Sequence, residues 1–158
     1  MIDVLEFLKD NKIKYVLHEH PAVFTCEEAE EKCGNIPGLP CKNLVLKDEK
    51  KNYFMAILPA TKKLNFKNIA KLINAKKVSF ANPETLQVLL GLDVGSVSPF
   101  GLLNDQDKEI TLILDQEVKE AEILSFHPNV NTSTLELTNE MFLKFLKTIN
   151  CNPCVFSF

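Results

Sequence analysis

Between Gly91 and Gly101 the chain reads Gly91-Leu92-Asp93-Val94-Gly95-Ser96-Val97-Ser98-Pro99-Phe100-Gly101, three glycines and a proline among small hydroxyls and apolar residues. Glycine takes positive φ readily and lets a ligand approach main-chain N–H groups, while proline fixes φ and removes a donor. The run Gly95 to Pro99 therefore reads as a rigid loop. It is either a plain connection or one whose amides face a small polar ligand.

The stretch before this loop is well punctuated. Asn82-Pro83-Glu84 is a helix start, with an N-cap followed by proline at the first helical position. That helix runs to Leu90 and stops at Gly91. Upstream, Ile2, Val4, Leu5 and Leu8 have helical spacing within Met1 to Asn11. Tyr15-Val16-Leu17 reads as a strand, and Thr25-Cys26-Glu27-Glu28 as a capping box opening a helix to about Lys32. Gly34 to Pro40 is a loop. Asn43 to Leu46 and Tyr53 to Leu58 are apolar strand runs, joined by the polar hairpin segment Lys47 to Asn52. Asn65 caps the next helix, with Leu64 and Ile69 as a hydrophobic staple, and Val78-Ser79-Phe80 is a short strand. Downstream, Ile110 to Leu114, Glu122 to Phe126 and Thr132 to Leu137 read as strands. Thr138 caps a last helix to about Ile149. Short strands, helices and tight turns predict a mixed α+β fold around a mainly antiparallel sheet.

A chain of 158 residues with 46% apolar content is expected to form one domain, residues 1–158, with a real core. No apolar run approaches the ~20 residues of a membrane span. The start Met1-Ile2-Asp3-Val4-Leu5-Glu6 carries acids where a signal peptide needs a basic region, so a cytoplasmic protein with no membrane partner is expected. Five cysteines fit reduced thiols better than a disulfide framework. Cys151-Asn152-Pro153-Cys154 is one CxxC without the second pair that a zinc site needs. It also follows the last helix rather than opening one, as a thioredoxin-type motif does.

Net charge is −3, unevenly spread. Lys62, Lys63, Lys67, Lys71, Lys76 and Lys77 fall in a run with no acid, whereas Gly101 to Glu140 holds nine acids and two lysines. The basic run is either a solvated helix face or a local attractor for a polyanion. All basic residues are lysines, so guanidinium forks are unavailable and phosphate contacts fall to lysine, backbone or hydroxyl groups.

No Ser/His/Asp or Cys/His constellation, paired carboxylate or metal-ligand spacing stands out, and no cofactor is expected. His18 reads as a packing or surface residue of the first strand. His20, before Pro21, either lines a cleft or closes a turn. His127 sits in the polar turn Phe126-His127-Pro128-Asn129-Val130-Asn131-Thr132 between two strands, where functional groups are often carried. Lys42 is either a solvated strand end or a cation pointing into a cleft.

Three separated pieces act together: Lys42-Asn43 opening a strand, the G-x-x-x-P loop Gly95 to Pro99, and His127-Pro128 with Asn131-Thr132. With His20-Pro21 and Thr25 before a helix, the chain from about Leu5 to Leu146 resembles the YbaK/prolyl-tRNA-editing family of aminoacyl-tRNA deacylases. The resemblance implies a barrel-like, mostly antiparallel sheet with flanking helices. It implies hydrolysis of the ester joining a wrong amino acid to transfer RNA. The free-standing branch that clears alanine from proline tRNA is the best match, and the cysteine-clearing branch is the nearest alternative. Aminoacylated proline tRNA is then the substrate, and prolyl-tRNA synthetase a potential partner.

By the same resemblance Lys42 is the key polar group, near the terminal adenosine and its phosphate or the amino acid. Gly95, Ser96, Val97, Ser98 and Pro99 bind the aminoacyl carbonyl. His20, Thr25, Asn43, Phe100, Gly101, His127, Asn131 and Thr132 line the substrate pocket. From charge, Lys62, Lys63, Lys67 and Lys71 are candidate tRNA contacts; from size discrimination, Val97, Phe100 and Leu44 are candidate walls of an amino-acid sieve, Leu44 reading more readily as ordinary core. The chemistry asks little of the protein. An aminoacyl ester is already activated, its oxyanion can be received by loop amides, and the ribose hydroxyl next to the ester can activate water. Two other classes stay open: a non-catalytic module binding charged tRNA or a synthetase, and thiol redox chemistry at Cys151 and Cys154.

Overall fold

The computed structural model describes residues 2–158; Met1, where the sequence begins the first helix, lies outside the described residues. In chain order the elements are α1 (Val4–Asp10), β1 (Val16–Glu19), α2 (Cys26–Cys33), β2 (Leu39–Asp48), β3 (Tyr53–Pro59), α3 (Phe66–Leu72), β4 (Val78–Phe80) and α4 (Pro83–Leu90). Two 3-10 turns follow, Val94–Ser96 and Pro99–Asn104. Then come β5 (Ile110–Asp115), α5 (Gln116–Glu120), β6 (Ile123–Phe126), β7 (Ser133–Thr138), α6 (Asn139–Thr148) and β8 (Cys154–Phe156). No helix among the described residues is long and apolar enough to cross a membrane.

The strands form one sheet in the order β1-β7-β6-β2-β3-β5-β8, with β4 added beside β2. The pairs β1/β7, β6/β7, β2/β3 and β2/β4 are antiparallel, while β2/β6, β3/β5 and β5/β8 are parallel. The expected barrel-like closure is corrected: the sheet is open, with β1 and β8 as its ends. These end strands are four and three residues long and offer little ladder for closure.

The period of two along the central strands sorts their side chains into two cores. Val45, Met55, Ile57, Leu112 and Leu114 face the larger core, under α1, α4, α6 and the second 3-10 turn. Leu46, Phe54, Ala56 and Ile113 face the smaller one, under α3 and the C-terminal Phe156 and Phe158. Burial on both faces explains why β3 is an unbroken apolar run.

Local capping sets the helix ends as the sequence predicts. Asn65, Asn82 and Thr138 accept from the backbone N–H groups of Asn68, Thr85 and Met141. Gly91 ends α4 in the left-handed region, φ 66°, which any side chain would resist. Two elements escape a sequence reading. The five-residue α5 lies between strands β5 and β6, and β8 incorporates Cys154 of the CxxC into the sheet.

Candidate active site

The ladder between β1 and β7 carries the first part of the site. Pairing of His18 with Thr134 and Glu19 with Ser133 draws the chain after β1 alongside the turn before β7. Beyond the ladder, His20 N–H donates to Thr132 O at 3.0 Å and Val23 N–H to Asn131 O at 3.2 Å. Asn131 Nδ2 returns a bond to Val23 O at 3.1 Å. Asn131 therefore fastens the His20 segment to the His127 turn. The Thr132 contribution is its carbonyl.

Two histidines meet there, with ring centroids 6.0 Å apart. His20 Nδ1 lies 2.8 Å from Pro21 O, and a carbonyl only accepts, so the proton sits on Nδ1. His20 Nε2 then accepts from the Thr134 hydroxyl at 2.8 Å. The same logic applies to His127, whose Nδ1 donates to Ser133 O at 2.9 Å. Its Nε2 is left as a lone pair with no protein donor among the described residues. Burial pushes the His127 pKa below its ordinary value, and the neighbouring His20 pushes the same way. His127 is thus a neutral imidazole with an open acceptor at neutral pH.

Cys33, at the end of α2, lies against the Thr134 hydroxyl. Burial raises its pKa despite that bond and the charge of Lys32. A raised pKa leaves less thiolate, which argues against Cys33 as a nucleophile. His18 is apart from it, bonded to Glu136 Oε1 at 2.9 Å.

The glycine loop joins the turn through Ser98. Its hydroxyl accepts from Phe100 N–H at 3.1 Å and donates to Asn129 Oδ1 at 2.9 Å. Ser98 is fully buried, which fits a clamp. Pro99 opens the second 3-10 turn beside it. Gly95 is exposed and Ser96 half-buried, whereas Val97 is buried in the larger core. Gly95 does not use positive φ. A Cβ there would stand in ordinary contact, 4.0 Å from Cδ1 of Phe24, so the loop passes directly beside that ring. Phe24 belongs to the His20 segment, so three loops converge, those around residues 20–25, 93–99 and 127–132.

Other expected residues fall elsewhere. Phe100 is fully buried between Phe126 and Phe145, at centroid distances of 6.3 and 5.0 Å. Gly101 is packed so closely that a Cβ would lie 2.8 Å from Leu92 Cδ1. Leu44 packs against the smaller core. Phe100 and Gly101 are buried in this structure, and Leu44 is half-buried on the flank of the smaller core. Thr25 Oγ1 accepts from Glu28 N–H at 3.1 Å, so it is engaged as a helix cap.

Lys42 pairs across the ladder with Leu58, and Asn43 with Ile57. Alternation places the two on opposite faces of β2, with Asn43 toward the larger core. Asn43 Oδ1 and Asn129 Nδ2 are buried with no hydrogen-bond partner among the described residues. Lys42 is half-buried and forms no hydrogen bond or ion pair among those residues. The two amide atoms are the unsatisfied buried polar groups of this region among the described residues, and Lys42 has its ammonium available.

The lysine run is divided. Lys62 Nζ lies 3.2 Å from the fully buried Asp115 and 3.5 Å from Glu117. Desolvation alone would lower its pKa, but the bond to Asp115 and both carboxylate charges hold it above the ordinary value. Lys63, Lys67 and Lys71 are exposed. Helix α3 covers the smaller core, on the face of the central strands away from the glycine loop.

Sequence reasoning did not single out Thr134, Asn129, Cys33 or Phe24. The positive φ of Asn129, 63°, fits the Pro128-Asn129 turn, but its bond to Ser98 spans 31 residues and leaves no local signal. A cavity of about 320 Å³, lined by residues including Leu103, Asp105, Lys108 and Cys151, is separate from the histidine cluster.

The aminoacyl-tRNA editing domain family matches residues 20–145, a span that holds the histidine pair and all three loops. The prolyl-tRNA editing protein ProX of Acetoanaerobium sticklandii is 34% identical over 91% of this chain and 88% of its own. Prolyl-tRNA synthetase associated domain-containing protein 1 of Danio rerio is 30% identical over 97% of this chain and 84% of its own. A crystal structure described as a candidate trans-editing enzyme for prolyl-tRNA synthetase superposes with a TM-score of 0.74, at 19% identity, covering 99% of this chain and 95% of that one. Its likeness concerns the fold alone. On the extent of the family match and the identity to these relatives, the chain belongs to the aminoacyl-tRNA editing domain family.

Proposed function

We propose that the protein is a trans-editing hydrolase that removes a mischarged amino acid, alanine in the first instance, from proline tRNA. The observation that carries the reading is the open Nε2 of neutral His127, on a turn whose Asn129 accepts a hydrogen bond from Ser98 of the glycine loop. An ester hydrolase needs an acceptor for a water or hydroxyl proton beside donors for the oxyanion. His127 Nε2 supplies the first. The Gly95 amide is the donor on offer for the second, the Ser96 N–H being given to Asp93 O at 3.0 Å. Family membership and the name of the ProX relative support the substrate class.

In this mechanism the ester carbonyl sits at the glycine loop, and water attacks it. The ribose hydroxyl beside the ester orients that water, and His127 Nε2 accepts the hydrogen bond that closes the chain. Lys42, half-buried on the face of β2 opposite Asn43, is the cation offered to a terminal phosphate rather than to the charge that develops at the glycine loop. Exclusion of proline by size gives the enzyme its purpose. A synthetase pocket made for proline discriminates against a smaller side chain by only ~1–3 kcal/mol per methylene. The synthetase-associated name of the Danio rerio relative supports prolyl-tRNA synthetase as the partner that supplies the mischarged tRNA.

The test is release of amino acid from alanyl- and cysteinyl-charged proline tRNA by wild type and Lys42→Ala. Alanine released by wild type alone supports the reading. Cysteine released instead keeps the chemistry and changes the substrate. Tight binding without release of either replaces the hydrolase with a binding module. Replacing the terminal 2′-hydroxyl with hydrogen on an intact 3′-ester abolishes turnover if the substrate assists, and full retained rate removes that step.

A further inference from the structure

Each of the three converging loops presents one exposed apolar side chain: Phe24 is 72% exposed, Val94 63% and Val130 45%. Phe24 differs from a loose surface aromatic in how its backbone is held. Val23 on one side exchanges two hydrogen bonds with Asn131, and Ala22 O accepts from Lys32 Nζ at 3.2 Å. On the other side Thr25 caps α2. The ring edge leans toward Gly95, where the absent Cβ would stand 4.0 Å away, and the rest of the ring faces solvent. A fixed, solvent-facing aromatic beside a glycine is a stacking platform without its second plate.

We infer that Phe24, flanked by Val94 and Val130, stacks the base of the terminal nucleotide of the RNA. The inference rests on the proposed function, which sets the esterified ribose between His127 and the Gly95 loop. The base hangs from that same ribose, so it falls within one sugar's reach of the carbonyl site and meets whatever lies on the rim. The rim here is apolar at Phe24, Val94 and Val130 and planar at Phe24, and the Glu28 carboxylate that accepts from the Phe24 N–H at 3.3 Å disfavours a phosphate, which suits the face of a base. Stacking of a base on an aromatic is sequence-tolerant and adds binding without base-edge bonds. It would also leave Lys42 free for the phosphate. Phe24 is thus a binding residue that positions the ester by holding the far side of the same nucleotide.

The chain has no tryptophan, so Phe24→Trp makes a single reporter at the platform itself. The probes are the uncharged trinucleotide cytidine-cytidine-adenosine and the same trinucleotide with an abasic 3′ residue. Saturable quenching by the first, lost with the second, is expected. In hydrolysis assays Phe24→Leu raises KM about tenfold or more, and Phe24→Tyr restores it. Equal response to both trinucleotides, or no response, overturns the platform, as does an unchanged KM in Phe24→Leu. Quenching by prolyl-tRNA synthetase but not by the trinucleotide assigns the rim to protein docking and overturns it too. Failure of the hydrolase reading looks different: wild type releases no amino acid while base-dependent quenching persists.

Discussion

His127 is where protonation and the proposed function meet. Its pKa lies below the ordinary histidine value because burial disfavours the charged ring and His20 adds repulsion. The unfolded chain therefore binds the proton more readily. Stability supplied by the neutral ring is fully present above the unfolded value of about 6.5 and is lost as pH falls through the folded value. Denaturant titrations between pH 7.5 and 5 should show a steeper loss for wild type than for His127→Gln. The acidic limb of the deacylation rate should likewise fall below pH 6.5, and a limb at or above it would contradict the neutral ring. At Ser98 the effect is mechanical. Ser98→Ala strands the buried Phe100 N–H and frees Asn129, at a cost of about 1–3 kcal/mol in chemical denaturation. Unchanged stability would remove the clamp.

Individual elements differ in how far local sequence specifies them. The caps at Asn65, Asn82 and Thr138 are satisfied within three residues, so their helices could be placed from sequence alone. Strand β8 owes its existence to pairing with Ile113, Leu114 and Asp115, some forty residues away in the chain. Lys62 is a related case. It lies among six lysines, but its partner Asp115 is 53 residues distant. Asp115 also accepts from Glu117 N–H and Phe158 N–H, joining α5 and the C-terminal strand to β5. Asp115→Ala should cost about 3 kcal/mol and loosen both, measured by denaturation. Lys62→Glu should destabilise as well, by charge repulsion against Asp115 and Glu117. Lys67→Glu with Lys71→Glu should leave stability within ~0.5 kcal/mol. If those exposed lysines meet RNA, the pair should raise KM and flatten its salt dependence. The same KM and slope would clear α3 of that role.

At the scale of the whole molecule, the three loop motifs could be read in order along the chain, but not which groups within them touch. His20, His127 and the glycine loop come together through a sheet whose strand order, β1-β7-β6-β2-β3-β5-β8, departs from chain order almost throughout. Thr134 and Asn129 are legible only once β7 is set against β1 and the glycine loop against the turn. Lys42-Asn43 is the converse: adjacent in sequence, the two are sent to opposite faces by strand geometry.

The edge position of β1 gives the site a thermodynamics of its own. Four residue pairs hold that strand, and only its β7 side is paired. Amide protons along β1 and in the His20 segment should therefore exchange through sub-global openings that leave β3 and β5 protected. Activity would then disappear with heat or denaturant at a lower dose than the core melts, because the histidine pair comes apart when β1 peels away. On the proposed function, charged tRNA that binds the closed form would slow exchange at this edge selectively. The catalyst would be, in effect, a small folding equilibrium that its substrate completes.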